Sequence, residues 1–339
     1  MIFDILLWPV GDILLKTVGM SWYRNSVFIL KGLKDYTKSG YISASKHFCE
    51  KDLDVDCNGK TFMITGANSG IGKSLAISIA KLGGTIHMVC RNPKYAEEAL
   101  QEIKNITGSP NVHVHLLDMS EPRSIVKFAK KFTEEHDSLN VLINNAGCMV
   151  NERQVTEDGL EKNFATNTLG VHMLTKSLLP ILKKSEQPRV IMVASAGMLT
   201  QKLNVDDLQA EKMNPFDGTM VYAQNKRQHV IMTEEYAKEN SDVKFFSMHP
   251  GWADTPAVKN SMPDFYNRMQ GKFRTPEEGA DTALWLAVSD AALNQPSGEF
   301  FQDRSVVSKH LPLACTHSSQ ADHDKLMTIL DDYFTKFSG

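Results

Sequence analysis

What this sequence lacks narrows it first. Its five cysteines, Cys49, Cys57, Cys90, Cys148 and Cys315, are odd in number and show no Cys-x2-Cys pair. Such spacing excludes a disulfide frame and a thiolate zinc site, and reads as reduced thiols in a reducing compartment. The eleven histidines form no His-Glu-x2-His metal pattern. His113 and His115 share a strand face that a covering helix or water explains better than an ion, so no metal is expected. No block of basic residues is present and the net charge is −3, which leaves nucleic acid without an electropositive footprint. Repeats and low-complexity linkers are absent. No uninterrupted apolar run approaches the ~20 residues that a spanning helix needs. The first charge is Asp4, where a secretory signal would carry a basic n-region. What remains is an intracellular chain, cytoplasmic or peripheral on an organelle membrane, the mitochondrion included.

What is there is enough apolar material for a proper core: 339 residues, 42% hydrophobic. The most informative stretch runs from Lys60 to Lys73. The apolar run Phe62–Ile64 breaks into Gly66, Gly70 and Gly72, and a helical pattern resumes at Leu75, Ile77 and Ile79. Strand, tight turn and helix in that order open a βαβ nucleotide-binding unit. Gly66 turns the chain off the strand, and Gly70 leaves room for a pyrophosphate. Gly72 lets the helix lie close to the sheet, its free N–H groups facing the anion. The spacing is Gly-x3-Gly-x-Gly, with Asn68, Ser69 and Ile71 filling the turn.

From there strands and helices alternate. Thr85–Cys90, Val112–Leu117, Val141–Ile143, Val190–Ala194, Val243–Met248 and Phe300-Phe301 read as strands. Helices are expected from Pro93 (capped by Asn92), from Ser120-Glu121-Pro122, from about Gly159 to Leu182, and from Tyr222 to Glu239. Two more are expected, one after the capping box Thr275-Pro276-Glu277-Glu278 and one along the C-terminal stripe Leu326 to Phe337. This alternation predicts an α/β fold: a Rossmann-type, doubly wound parallel sheet with helices on both faces and ligands beyond the strands' carboxyl ends. Residues 58–339 form one catalytic domain and residues 1–57 an apolar, helical N-terminal extension. Within it, Ile2 to Leu15 is strongly apolar but interrupted by Asp4 and Asp12, and Asp12 and Lys16 stand at i, i+4. Residues 1–30 read either as a helix for peripheral membrane contact or as one packed on the protein's own body or across a homo-oligomer.

Chemistry is expected where the strand ends converge. Tyr222 and Lys226, in Tyr-Ala-Gln-Asn-Lys, share one helix face. A phenol with an ordinary pKa of ~10 exchanges protons poorly at neutrality. An adjacent ammonium favours the phenolate and is expected to lower that value, making a general acid/base. Ser195 ends the fifth strand, where its hydroxyl can bond a carbonyl oxygen, and Asn167 lies in the long helix, where it can hold a water beside Lys226.

These residues together resemble the short-chain dehydrogenase/reductase family. The matching motifs, in order, are Thr65-Gly66-x3-Gly70-Ile71-Gly72, Asn144-Asn145-Ala146-Gly147, Asn167, Ser195, Tyr222-x3-Lys226 and Pro250-Gly251-x3-Thr255, over roughly residues 58–305. The resemblance implies a nicotinamide cofactor and a catalytic tetrad of Asn167, Ser195, Tyr222 and Lys226. In it the tyrosine is general acid/base, the serine steadies the substrate oxygen, the lysine also holds the nicotinamide ribose, and the asparagine completes a proton relay. It further implies Asp118 at the adenine, Asn144 to Gly147 along the adenosine side, and Thr255 at the nicotinamide amide.

Two departures stand out. Asn225 precedes the lysine where the family has a small residue. The interval from Ser195 to Tyr222 is long, resembling the retinol-dehydrogenase-like branch, whose inserted loop (about Leu199–Thr219 here) borders an apolar alcohol or carbonyl substrate. The Met-, Phe- and Tyr-rich region from Pro256 to Arg274 is expected to cover that pocket. Cofactor choice follows from charge. Where an NAD-preferring fold has an acidic residue after the second strand, this chain has Arg91, and Lys73 follows the glycine turn. Two cations suit a 2′-phosphate, so NADP(H) is favoured over NAD(H). The expected activity is NAD(P)(H)-dependent interconversion of a carbonyl and an alcohol. The alternative is a catalytically weak nucleotide-binding regulatory or scaffold protein of the same fold.

Overall fold

A computed structural model describes the backbone of residues 11–339 and the side chains from residue 22 onward. The apolar stretch at residues 2–15 and the Asp12/Lys16 pair therefore lie outside the described side chains. In chain order the elements begin with α1 (Gly11–Asp35) and α2 (Lys38–Ser45), followed by β1 (Thr61–Thr65), α3 (Gly70–Lys81), β2 (Thr85–Cys90), α4 (Pro93–Thr107), β3 (Val112–Leu116), α5 (Pro122–Glu135) and β4 (Val141–Asn144). Then come α6 (Lys162–Phe164), a π-helical turn (Ala165–Leu169), α7 (Gly170–Leu182), β5 (Arg189–Val193), α8 (Gly218–Glu239) and β6 (Lys244–Met248). The chain closes with α9 (Pro256–Ser261), α10 (Pro263–Met269), α11 (Pro276–Val288), α12 (Asp290–Leu293), β7 (Phe300–Gln302), β8 (Ser305–Val306) and α13 (Gln320–Ser338).

The eight strands form one sheet in the order β3-β2-β1-β4-β5-β6-β7-β8, all parallel but the last pair. Alternation along each strand supplies two cores. Phe62, Ile64, Ile143, Ile191 and Phe246 face α3 and α11, while Met63, Leu142, Val190, Met192 and Phe245 face α5, α7, α8 and α13. The doubly wound parallel sheet predicted from the sequence is what the chain adopts. Its strand order reverses between β1 and β4, and a crevice opens there beyond the carboxyl ends.

Local signals account for most boundaries. Asn92 accepts from the Tyr95 N–H with Pro93 at the first helical position. Thr275 and Glu278 form the reciprocal capping box ahead of α11. The long helix expected from Gly159 starts later, at Lys162. Gly159 is left-handed (φ +77°), and Glu161, fully buried, stays extended and accepts from the Asn163 and Phe164 N–H groups as the cap. The same helix is widened by the π turn at 165–169, which no periodicity in the sequence announced.

Residues 35–57 lie against the body. The Trp252 N–H donates to the Tyr36 carbonyl (2.7 Å), and Tyr36 is fully buried against His249 and Trp252. Trp285 Nε1 donates to Asp52 (2.7 Å), and the Cys57 N–H donates to the Leu82 carbonyl. Among the described residues no helix is long and apolar enough to cross a membrane.

Candidate active site

The glycine turn lies at the reversal point of the sheet. Gly70 adopts φ +52°, and an added Cβ would meet the Thr255 side chain at 3.1 Å, so the β6 loop closes directly over the turn. At Gly72 the close approach is decisive: a Cβ would stand 2.4 Å from the Gly66 carbonyl oxygen and 2.5 Å from the Asn145 amide. Helix α3 can begin this near the β1–β4 crevice only because that atom is missing. Asn145 and Ala146, expected along the adenosine side, also brace the turn. Both of their N–H groups donate to Thr65 Oγ1 (3.0 and 2.9 Å), and the Asn145 amide donates to the Thr65 and Gly66 carbonyls. Asn68, Ser69 and Ile71 lie in the turn, and Ser69 caps α3 without a side-chain bond of its own. The cradle is backbone-lined at a helix N-terminus, which fits a dinucleotide pyrophosphate.

At the end of β2, Arg91 is two-thirds exposed and lies 3.6 Å from Asp118, which follows β3. Lys162 reaches the same carboxylate at 3.7 Å. Burial pushes the Asp118 carboxyl up, but the Ser120 N–H and hydroxyl, with help from Lys162 and Arg91, bring it below its ordinary value, so it stays ionised. Lys73, the second cation expected beside a 2′-phosphate, is instead paired with Glu102 of α4 at 2.7 Å. A 2′-phosphate reading therefore stands on Arg91 alone.

Helix α8 brings the candidate catalytic residues to the same ends of the sheet. Lys226 is buried, donates to the Val193 carbonyl (2.9 Å) and stands 5.4 Å from the Tyr222 ring centre. Ser195 follows β5 and accepts from the Gly197 N–H (3.2 Å). The empty Cβ position of Gly197 lies 3.6 Å from the Ser195 hydroxyl and 3.9 Å from Ala223, next to Tyr222. That of Gly147 lies 3.4 Å from Asn167 Oδ1 and 3.6 Å from Lys226 Nζ. Four side chains from β5, the π turn and α8 thus converge around the end of β4.

The electrostatics differ from the sequence expectation. Burial pushes the Tyr222 phenol up to about 12, with Cys148 adding in the same direction. Burial also pushes the Lys226 ammonium down to about 7. The expected lowering of the phenol by an adjacent ammonium does not operate in the protein alone, because desolvation penalises both charged forms at once. An aromatic cluster joins the β6 loop to α10 and the segment after it: Trp252 packs on Phe265 (5.1 Å) and Phe265 on Phe273, with Tyr266 stacked on Phe273. The Asn151 amide ties the β4 loop to the Ser261 carbonyl (3.0 Å).

Sequence reasoning missed several contributors. Thr65 was quoted only as part of a motif, yet it anchors the Asn145 loop. Cys148 exchanges backbone bonds with the Asn167 amide (2.8 Å each way). Asn225, noted only as a departure, is buried against Asn167. His229 carried no signal at all.

Comparison with known proteins fits this geometry. The family model described as short chain dehydrogenase matches residues 60–264. The human dehydrogenase/reductase SDR family member 12 is 57% identical over 318 residues, spanning 94% of this chain and all of that relative. Human retinol dehydrogenase 11 is 36% identical over 255 residues, 74% of this chain and 79% of its own. Among solved structures, a short chain dehydrogenase from Escherichia coli complexed with NADPH is similar in fold. Its TM-score is 0.61 at 20% identity, over 76% of this chain and all of that one.

Proposed function

The chain belongs to the short chain dehydrogenase family of oxidoreductases, and from that premise we propose that it uses NADP(H) to interconvert an apolar carbonyl compound and its alcohol. The observation that carries this reading is the convergence of Ser195, Tyr222, Lys226 and Asn167 beside a glycine turn whose backbone fits a pyrophosphate. When bound, the cofactor supplies or accepts the hydride at its nicotinamide ring. The protein's part is proton transfer and charge placement. The Tyr222 phenol, pushed up to about 12, stays protonated at neutral pH, which suits it to donate to a substrate oxygen as negative charge develops there. Ser195 offers a second hydrogen bond to that oxygen. Lys226, when charged, favours the phenolate left behind and bonds the nicotinamide ribose. Thr255 would meet the amide side, and the aromatic cluster of Trp252, Phe265 and Phe273 after β6 supports an apolar substrate.

NADP(H) is preferred on the ground that Arg91, exposed and only loosely tied to Asp118, follows β2 where an acidic residue would reject a 2′-phosphate. Residues Trp22, Ile29, Leu30 and Leu33 run along the outer face of α1, with Trp22 and Leu30 74% and 69% exposed. Lys34 stands at the edge of this face, while Lys31 is turned away from it and paired with Asp35, and the face supports peripheral contact with a lipid surface.

The test is NADPH and NADH binding by nicotinamide fluorescence, wild type beside Arg91→Ala, followed by NADPH-dependent reduction of apolar aldehydes with Tyr222→Phe as control. The expectation is NADPH binding that weakens at least tenfold in Arg91→Ala while NADH is little changed, and aldehyde reduction that falls ~10²–10⁴-fold in Tyr222→Phe. Failure to bind either nucleotide overturns the reading.

A further inference from the structure

Asn167 is held more firmly than a residue that merely orders a water would need to be. Its side chain accepts from the Cys148 N–H and donates to the Cys148 carbonyl, both at 2.8 Å. The same amide donates to Asn225 Oδ1 at 3.1 Å. Its main-chain carbonyl, in the widened π turn, accepts from His229 Nε2. Asn225 and His229 are one turn apart on α8, on either side of Lys226, and both are at least 99% buried. A second pair extends the contact: Thr168 Oγ1 donates to Gln228 Oε1 at 2.6 Å, and the Asn225 amide approaches that same oxygen at 3.4 Å.

We propose that Asn225 and His229 are positioning residues, a two-point clamp from α8 that fixes Asn167 and, through it, the Gly147-Cys148 wall against which Lys226 stands. The proposal rests on the oxidoreductase reading above and adds two residues to it. A helix–helix contact at this depth needs only apolar side chains. Polar groups buried there must be bonded to be tolerated, and His229 is only partly so: its Nδ1 makes no well-formed hydrogen bond, the Val193 carbonyl being the other backbone oxygen near the ring. The orphan nitrogen is accepted because the opposite nitrogen must carry the hydrogen that Asn167 receives. Burial, reinforced by the charge of Lys226, holds this imidazole well below its ordinary pKa. It is therefore neutral, with a single hydrogen to give. The π turn is the natural target of such a clamp. One extra residue per turn loosens the helical ladder, and side chains from α8 hold the loosened carbonyl and amide in place. From Asn167 the constraint passes directly to Cys148, and the open Cβ position of Gly147 lies within 3.6 Å of both Asn167 Oδ1 and Lys226 Nζ.

The experiment uses the full chain as Asn225→Leu, His229→Leu and His229→Gln, the last able to donate one hydrogen bond from a similar place. NADPH affinity, melting temperature and the pH profile of decanal reduction are measured for each. The expected result is a kcat about 10- to 100-fold lower in both leucine variants, the scale of a small misplacement at a reacting centre. NADPH affinity should stay within threefold of wild type, and His229→Gln should recover most of the rate. Wild-type kcat in the leucine variants overturns the clamp. So does equal loss in His229→Leu and His229→Gln accompanied by lost NADPH affinity, which would mark a purely structural role. If wild type binds NADPH but reduces no aldehyde, the oxidoreductase reading fails by itself. The clamp is then read from hydrogen exchange at the Cys148 amide, which donates to Asn167. Exchange at least tenfold faster in the leucine variants than in wild type, with the remaining core amides unchanged, supports the clamp. An unchanged rate at Cys148 overturns it.

Discussion

The low pKa of Lys226 makes cofactor binding a proton-uptake reaction. Its ammonium is buried, reaches only the Val193 carbonyl, and is pushed down to about 7. At pH 8, therefore, roughly one protein molecule in ten carries that proton before ligand arrives. NADPH is a polyanion whose ribose hydroxyls would come to Lys226 in the proposed function, and an opposite charge favours the ammonium. If binding restores an ordinary lysine value, about 0.9 proton is taken up at pH 8 and little at pH 6, where the site is already charged. The sign is fixed by linkage. The free protein's pKa is depressed, the protonated form binds, and affinity falls as pH rises above 7, by at most about tenfold per unit. Neighbours do not obscure the signal. His229 and His249 are held neutral by burial, the Cys148 thiol is pushed up by burial, and Asp118 is below its ordinary value. The cofactor's 2′-phosphate, with a second pKa of about 6, is already ionised at pH 8. Titration calorimetry in buffers of different ionisation enthalpy gives the proton count directly. Zero uptake at pH 8, or the same uptake in Lys226→Met, refutes the reasoning. The free protein offers a second reading of the same group. Between pH 7 and the ordinary lysine value the unfolded chain binds the extra proton, so stability rises with pH there. In Lys226→Met that slope disappears, and the cofactor-free protein melts higher at pH 7.

Arg274→Met should cost about 3–5 kcal/mol in urea denaturation, because it leaves Asp303 largely buried without its bidentate partner, and adding Asp303→Asn, which removes the charge and tolerates the left-handed backbone there (φ +51°), should return most of that loss. A loss under ~1 kcal/mol would show that the pair behaves as an exposed one. Wild-type protein should float with anionic liposomes in a density gradient and be released by high salt, whereas the triple variant Trp22→Ser, Leu30→Ser, Leu33→Ser should stay at the bottom. Equal flotation of the two would remove α1 as the membrane-facing element.

What could be read from the sequence, and what could not, divides along one physical line. Features set by neighbours in sequence were legible. The Gly66-x3-Gly70-x-Gly72 turn, the Asn92-Pro93 start and the Thr275–Glu278 box each act within one turn of chain, and each lies where expected. Tyr222 and Lys226 were placed on one face by a spacing of four, and that too is local. The direction of their pKa shifts was not, because it depends on how deeply α8 is buried by β5 and the β4 loop. Charge proximity alone suggested an acidified phenol, and desolvation reversed it. Lys73 looked free beside the turn until α4 brought Glu102 to it from 29 residues away. Asn225 looked like a mild misfit in a small-residue position. Its partner, Asn167, is 58 residues distant and sits in a π turn that only the packing of α7 on α8 makes visible. A residue that departs from a family pattern beside a catalytic lysine therefore warrants a search for its long-range partner before it is read as tolerance. Here that partner is a member of the proposed tetrad, so the departure and the candidate site belong to one connected hydrogen-bond network.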